Sequence, residues 1–114
     1  MSKRSFELLL EDILLSIQRI LEYTDGLTFS EFVSDQKTVD AVVRNFEIIG
    51  EAVNKLPDSF KLRHPNIQWA NIREFRNRIV HDYIGIDYSI LWQIKESYLS
   101  NLAAELKGIL SSMP

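Results

Sequence analysis

The sequence has 114 residues, of which 46% are hydrophobic and 25% are charged, and this size and composition predict a single helical domain over residues 1–114. It contains no cysteine, which excludes disulfide bonds and thiolate metal sites and favours a reducing cytoplasmic location. The formal net charge of -3 at pH 7 argues against a broad nucleic-acid-binding surface but allows a small basic site.

The N-terminal part of the chain predicts one long helix and one short helix. Between residues 6 and 23, apolar residues recur with helical spacing. Acidic residues interrupt this run, so we expect a buried helix and no membrane span. Gly26 should end the helix. Thr28 and Glu31 then have the spacing of a capping box, which predicts a short helix after Thr28.

The rest of the chain predicts three further long helices. The second long helix should follow its cap, Asp35, and end at Pro57, and its short connection to the first favours antiparallel packing. A third helix should begin near Trp69 and end at Gly85, and a last one should follow Asp87. No segment alternates with the two-residue period of a strand. We therefore expect an all-α fold, an up-down bundle of about four long helices plus short ones.

The stretch FRNRIVHDY, residues 75–83, places several polar side chains at the end of the third predicted helix: Arg76, Asn77, Arg78, His81 and Tyr83. On a regular helix, Asn77 and His81 share one face, whereas Arg76 and His81 are about 140° apart. Either the helix loosens before Gly85, or a second copy of the chain completes the site. We favour a homodimer in which two motifs face each other across a two-fold axis.

This set of side chains suits metal-independent cleavage of RNA. His81 could take a proton from a ribose 2′-hydroxyl or give one to the leaving 5′-oxygen, because imidazole titrates near neutral pH. Arg76 could hold the scissile phosphate with its planar fork, and Asn77 could orient the imidazole or the phosphate. The sequence shows no group of carboxylates and histidines at metal-ligand spacing, so we expect neither a metal nor another cofactor.

Each of these residues also has a structural explanation, and the spacing alone leaves both open. A histidine near a helix C-terminus interacts favourably with the helix dipole, so His81 could be structural. Arg78 could belong to a solvated charged face, and Tyr83 could be a core or interface aromatic. Arg44 and Glu47 on the second long helix could likewise be surface charges, or they could assist the motif if the two helices adjoin.

The motif and its surroundings resemble the HEPN superfamily, specifically its HepT-like toxin branch. The signature Arg-x-x-x-x-His-x-Tyr corresponds to Arg76, His81 and Tyr83, and the Arg-Asn form common in the superfamily corresponds to Arg76 and Asn77. The resemblance extends over nearly the whole chain. Four segments match the branch in order and at similar spacing: LEDILLSIQRILEYT, TVDAVVRNFEIIGEAVNKLP, IQWANIREFRNRIVHDYIGID and LWQI.

The resemblance implies the toxin of a toxin–antitoxin pair, a helical dimer that cleaves RNA without metal at an interface cleft. It implies that Arg76 and His81 are catalytic and that Asn77 is auxiliary. It also implies a partner, an MNT-type nucleotidyltransferase antitoxin that can transfer AMP from ATP to the motif tyrosine, Tyr83. A second class of function remains open, in which the chain is a non-catalytic helical partner or a nucleotide-binding module for a nucleotidyltransferase.

Overall fold

The computed structural model describes residues 3–81 and 84–113, with side chains described from residue 6 onward. These residues form eight helices and one short hairpin: α1 (Lys3–Thr24), α2 (Phe29–Val33), α3 (Gln36–Lys55), α4 (Asp58–Leu62), α5 (Trp69–Arg73), α6 (Phe75–Ile79), β1 (Val80–His81), β2 (Gly85–Ile86), α7 (Tyr88–Ser97) and α8 (Leu99–Ser111). The prediction of an all-α fold is confirmed, and the hairpin is a local addition to it.

The long helices α1 and α3 form the most extensive helix pair, and α8 packs against α1 as well. The apolar residues of α1 and of α3 recur at helical spacing, so each of these two helices buries one apolar stripe. The side chains of these two helices that are fully shielded from solvent are Leu10, Ile13, Ile17, Ile20, Val39, Val42, Phe46 and Ile49. Within residues 3–81 and 84–113, no helix is long and apolar enough to cross a membrane.

The predicted helix caps are present. The side chains of Thr28, Asp35 and Asp87 each accept a hydrogen bond from a backbone amide three residues later, at 3.1, 3.2 and 3.1 Å. Thr28 and Glu31 complete the capping box, because the Glu31 carboxylate accepts a hydrogen bond from the Thr28 amide at 2.9 Å. Gly26, after the end of α1, has a φ of 75°, a left-handed conformation that glycine adopts without strain. These short-range signals therefore fix where α2, α3 and α7 begin.

The third predicted helix differs from the expectation. It is divided at Glu74 into α5 and α6, and it ends at Ile79 rather than at Gly85. The chain then becomes extended, and β1 pairs antiparallel with β2, Val80 with Ile86 and His81 with Gly85. Gly85 has a φ of 98° and lies in this hairpin instead of ending a helix. The hairpin supplies backbone partners and suits β-branched residues such as Val80, so it replaces the last helical turns.

The last predicted helix is also divided, at Tyr98, into α7 and α8. Tyr98 has φ -126° and ψ -38°, outside regular helical geometry, although its amide still donates to the Ile94 carbonyl at 3.0 Å. Burial, together with the charge of Glu105, raises the pKa of the Tyr98 phenol above its usual value. The Tyr98 ring packs edge-on against Phe75 with centroids 6.0 Å apart. The break therefore lies against α6, the helix that carries the first part of the motif.

A close approach between α3 and the junction of α5 and α6 fixes the position of the motif. A Cβ atom at Gly50 would lie 3.1 Å from the carbonyl oxygen of Arg73, so glycine permits this contact. Nearby, the rings of Phe46 and Phe75 meet edge to face with centroids 5.7 Å apart. Helix α6 is thus anchored on α3 by its first residue.

Candidate active site

Helix α6 separates the apolar and polar residues of the motif. Phe75 and Ile79 are four residues apart and almost completely buried, whereas Arg76, Asn77 and Arg78 are exposed. The buried pair holds the helix on the core, as expected for residues on one helical face. The two guanidinium groups and the amide are therefore presented to solvent on a firmly packed short helix.

His81 lies on β1 and not on the helix, so its direction relative to Arg76 is not set by the turn of a continuous helix. The backbone of His81 pairs with Gly85 across the hairpin. Its side chain is 42% exposed, and its Nε2 atom lies 3.8 Å from Oδ2 of Asp87. The imidazole is thus accessible to a ligand and has a carboxylate on one side.

The Asn77 side chain interacts within its own segment. Its Nδ2 group donates to Oε2 of Glu74 at 2.8 Å, and Oε1 of Glu74 lies 3.6 Å from Nε of Arg73. Glu74 therefore engages the side chain that was predicted to orient the imidazole or the phosphate. An auxiliary role for Asn77 stays a prediction, and it would require this hydrogen bond to be exchanged or shared.

Arg44 and Glu47 lie on α3, which neighbours α6. The Arg44 guanidinium is 3.6 Å from Glu47 and 3.8 Å from Glu51, so both of these ion pairs run along α3 itself. Exposed pairs of this kind stabilise a helix only slightly. Assistance of the motif by Arg44 or Glu47 stays a prediction, as does a role for Arg78.

A shallow cavity of about 400 Å³ adjoins His81. Its lining is largely apolar and comes from α2, the hairpin and the start of α7: Phe29, Val33, His81, Ile84, Ile86, Asp87, Tyr88 and Ser89. Ile84 is 86% exposed and Phe29 is 40% exposed. A partly apolar recess beside an accessible imidazole can receive a flat or apolar group of a ligand.

The predicted modification site, Tyr83, lies outside the described residues. Among the residues that the structure describes, no three histidine, aspartate or glutamate side chains gather as a metal-binding group. Sequence reasoning gave Asp87 only a capping role and did not anticipate its approach to His81. Gly85 was the available signal, since a glycine suits a hairpin as well as a helix end.

Comparisons with known proteins agree with the resemblance noted in the sequence. A protein of Methanocaldococcus jannaschii named as a candidate RNase is 36% identical over 99% of this chain and 93% of its own length. A Thermococcus cleftensis protein named a probable ribonuclease HepT is 38% identical over 94% of this chain and 97% of its own length. No solved structure matches the chain significantly. The sequence model of the HepT-like ribonuclease family matches residues 13–109, and the chain therefore belongs to that family.

Proposed function

We propose that this protein is a metal-independent endoribonuclease that acts as the toxin of a toxin–antitoxin pair. The observation that carries the proposal is the accessibility of the signature residues: Arg76 is exposed on α6, and His81 is partly exposed on the adjoining strand β1. Membership of the HepT-like ribonuclease family and the RNase names of two relatives support RNA as the substrate.

In the proposed reaction, the RNA supplies its own nucleophile. His81 takes the proton of a ribose 2′-hydroxyl, the 2′-oxygen bonds to the adjacent phosphorus, and the bond from phosphorus to the 5′-oxygen breaks. A second imidazole gives a proton to the leaving 5′-oxygen, so the products carry a 2′,3′-cyclic phosphate and a 5′-hydroxyl. The Arg76 guanidinium stabilises the negative charge that builds on the phosphoryl oxygens. The cavity beside His81 provides an apolar wall for a neighbouring base.

The test is an RNA digestion by purified protein in the presence of excess EDTA. We expect cleavage to persist in the chelator and the new ends to be cyclic phosphates, identified by mass spectrometry. Cleavage that disappears with EDTA and returns with a divalent cation would contradict the metal-independent mechanism. RNA that stays intact with folded protein would favour the alternative of a non-catalytic partner of a nucleotidyltransferase.

A homodimer would supply the second imidazole that this mechanism needs. The helical geometry that first suggested a dimer is absent, because His81 lies on a strand. The chemical reason remains, since a second histidine can give a proton while the first takes one. Leu8 and Leu15 support the dimer as well: they are 47% and 45% exposed and, seven residues apart, lie on the same side of α1.

Sedimentation analysis at micromolar concentration should therefore give twice the chain mass. The physical reason is the proposed burial of the exposed apolar side chains of one copy against the other. A monomer under the conditions in which the protein cleaves RNA would contradict the site shared between two copies.

Tyr83 is the proposed target of the antitoxin. In the transfer, the phenol oxygen attacks the α-phosphorus of ATP, the bond between that phosphorus and the bridging oxygen to the β-phosphate breaks, and pyrophosphate leaves. The nucleotidyltransferase supplies the base that takes the phenol proton and the metal ion. The attached AMP adds a negative phosphodiester close in sequence to Arg76 and Arg78, where it would compete with RNA phosphate.

Replacing Tyr83 by phenylalanine should give a protein that cleaves RNA but gains no AMP when incubated with the antitoxin and ATP. Intact-mass and peptide analysis measures the adduct, with wild-type protein and reactions without ATP as controls. If active antitoxin neutralises the wild-type protein without any adduct on Tyr83, then complex formation alone is the mechanism.

A further inference from the structure

Asp87 uses its two carboxylate oxygens on two different partners. Oδ1 accepts the Ile90 amide at 3.1 Å and thereby caps α7. Oδ2 lies 3.8 Å from Nε2 of His81. We propose that Asp87 is a positioning residue for His81: its carboxylate lies beside Nε2 and stabilises the imidazolium formed during RNA cleavage.

The backbone keeps these two side chains together. The amide of Asp87 donates to the Ile79 carbonyl at 2.6 Å, which closes the hairpin where α6 ends. Inside that closure, His81 pairs with Gly85. The carboxylate is also fixed by its capping bond, so neither partner depends on a long flexible side chain for its position. Preorganised charge of this kind acts in the transition state without further reorganisation.

Electrostatics give the carboxylate a clear role. The N-terminus of a helix carries a partial positive charge, and the start of α7 is therefore an unfavourable neighbour for an imidazolium. One oxygen of the Asp87 carboxylate compensates the positive end of α7, and the other lies beside the imidazole and compensates the charge of the imidazolium. Among the described residues that line the adjoining cavity, the ionisable ones besides His81 are Asp87 and Tyr88. Asp87 supplies the carboxylate of this set, and it is therefore the counter-ion that these residues offer to His81.

The geometry also distinguishes the two ring nitrogens of His81. Nε2 faces the carboxylate, which leaves Nδ1 to exchange the proton with RNA. At 3.8 Å the contact is too long for a hydrogen bond, so its effect depends on the positive charge that His81 gains when it takes the proton. This inference rests on the proposed function, since it concerns proton transfer during RNA cleavage.

The decisive variant is Asp87→Asn, because asparagine is as good a helix cap as aspartate but carries no charge. We expect kcat for RNA cleavage to fall about tenfold, while the affinity for a non-cleavable 2′-deoxy RNA stays within about twofold. Serine also caps a helix without charge, so Asp87→Ser should likewise lower kcat and leave the affinity for 2′-deoxy RNA nearly unchanged. Circular dichroism and thermal melting check that both variants are folded.

The matched control is Asp35→Asn, which makes the same replacement at the cap of α3. It should leave kcat unchanged. Suppose that the wild-type protein cleaves RNA and His81→Ala does not. If Asp87→Asn is then as active as Asp35→Asn, the role of Asp87 is overturned while the proposed function stands. Equal losses of kcat and of 2′-deoxy RNA binding would also overturn it. A wild-type protein that leaves RNA intact would overturn the proposed function and this inference together.

Discussion

Replacing His81 by alanine should lower the rate of RNA cleavage by about 100-fold or more, the usual contribution of a proton-transferring residue. His81 is partly exposed, and its place in the hairpin is fixed by backbone pairing with Gly85. Truncating an exposed side chain of this kind should change the free energy of unfolding by no more than about 0.5 kcal/mol. The loss of cleavage would therefore report chemistry rather than unfolding.

The chain contains a matched control for this variant, because it has one other histidine. His64 packs against the ring of Phe60 with centroids 4.8 Å apart, and it lines cavities other than the one beside His81. We expect His64→Ala to cleave RNA at the wild-type rate, with melting curves recorded for both variants. Full cleavage by folded His81→Ala protein in EDTA would contradict the assignment of His81.

The parts of the fold that were predicted correctly from the sequence depend on local chemistry. A capping side chain and the amide that donates to it are only three residues apart. Thr28, Asp35 and Asp87 therefore predict where their helices begin without knowledge of the tertiary structure. The end of α6 depends instead on pairing between β1 and β2. A glycine such as Gly85 suits both a helix end and a hairpin turn, and the sequence alone does not distinguish them.

For the candidate site, the sequence predicts which residues to consider but not how they are arranged. Arg76 and His81 stand out because their residue types suit RNA chemistry and match a family signature. The contact between Asp87 and His81 was missed because it follows from the hairpin register, in which His81 pairs with Gly85. The hydrogen bond from Asn77 to Glu74 was also missed, although a spacing of three residues on one helical segment permits it.

Replacing Arg76 by lysine should also impair cleavage severely, by about 100-fold, although the positive charge is kept. The guanidinium offers two parallel donors in a rigid plane, which match two oxygens of a phosphate. A lysine ammonium is a single point charge on a flexible stem and does not reproduce this geometry. Arg76 is exposed on α6 and Phe75 and Ile79 anchor the helix, so the exchange should leave the fold intact.

Two measurements separate this effect from a general loss of RNA affinity. The affinity for 2′-deoxy RNA should fall much less than kcat, because lysine preserves the attraction to phosphate while the transition state loses its bidentate partner. Arg73→Lys is the control, since Arg73 is a nearby exposed arginine that forms an ion pair with Glu74. We expect that variant to retain the wild-type rate. An Arg76→Lys protein that cleaves as fast as Arg73→Lys would show that charge alone suffices at position 76, and the bidentate role would be wrong.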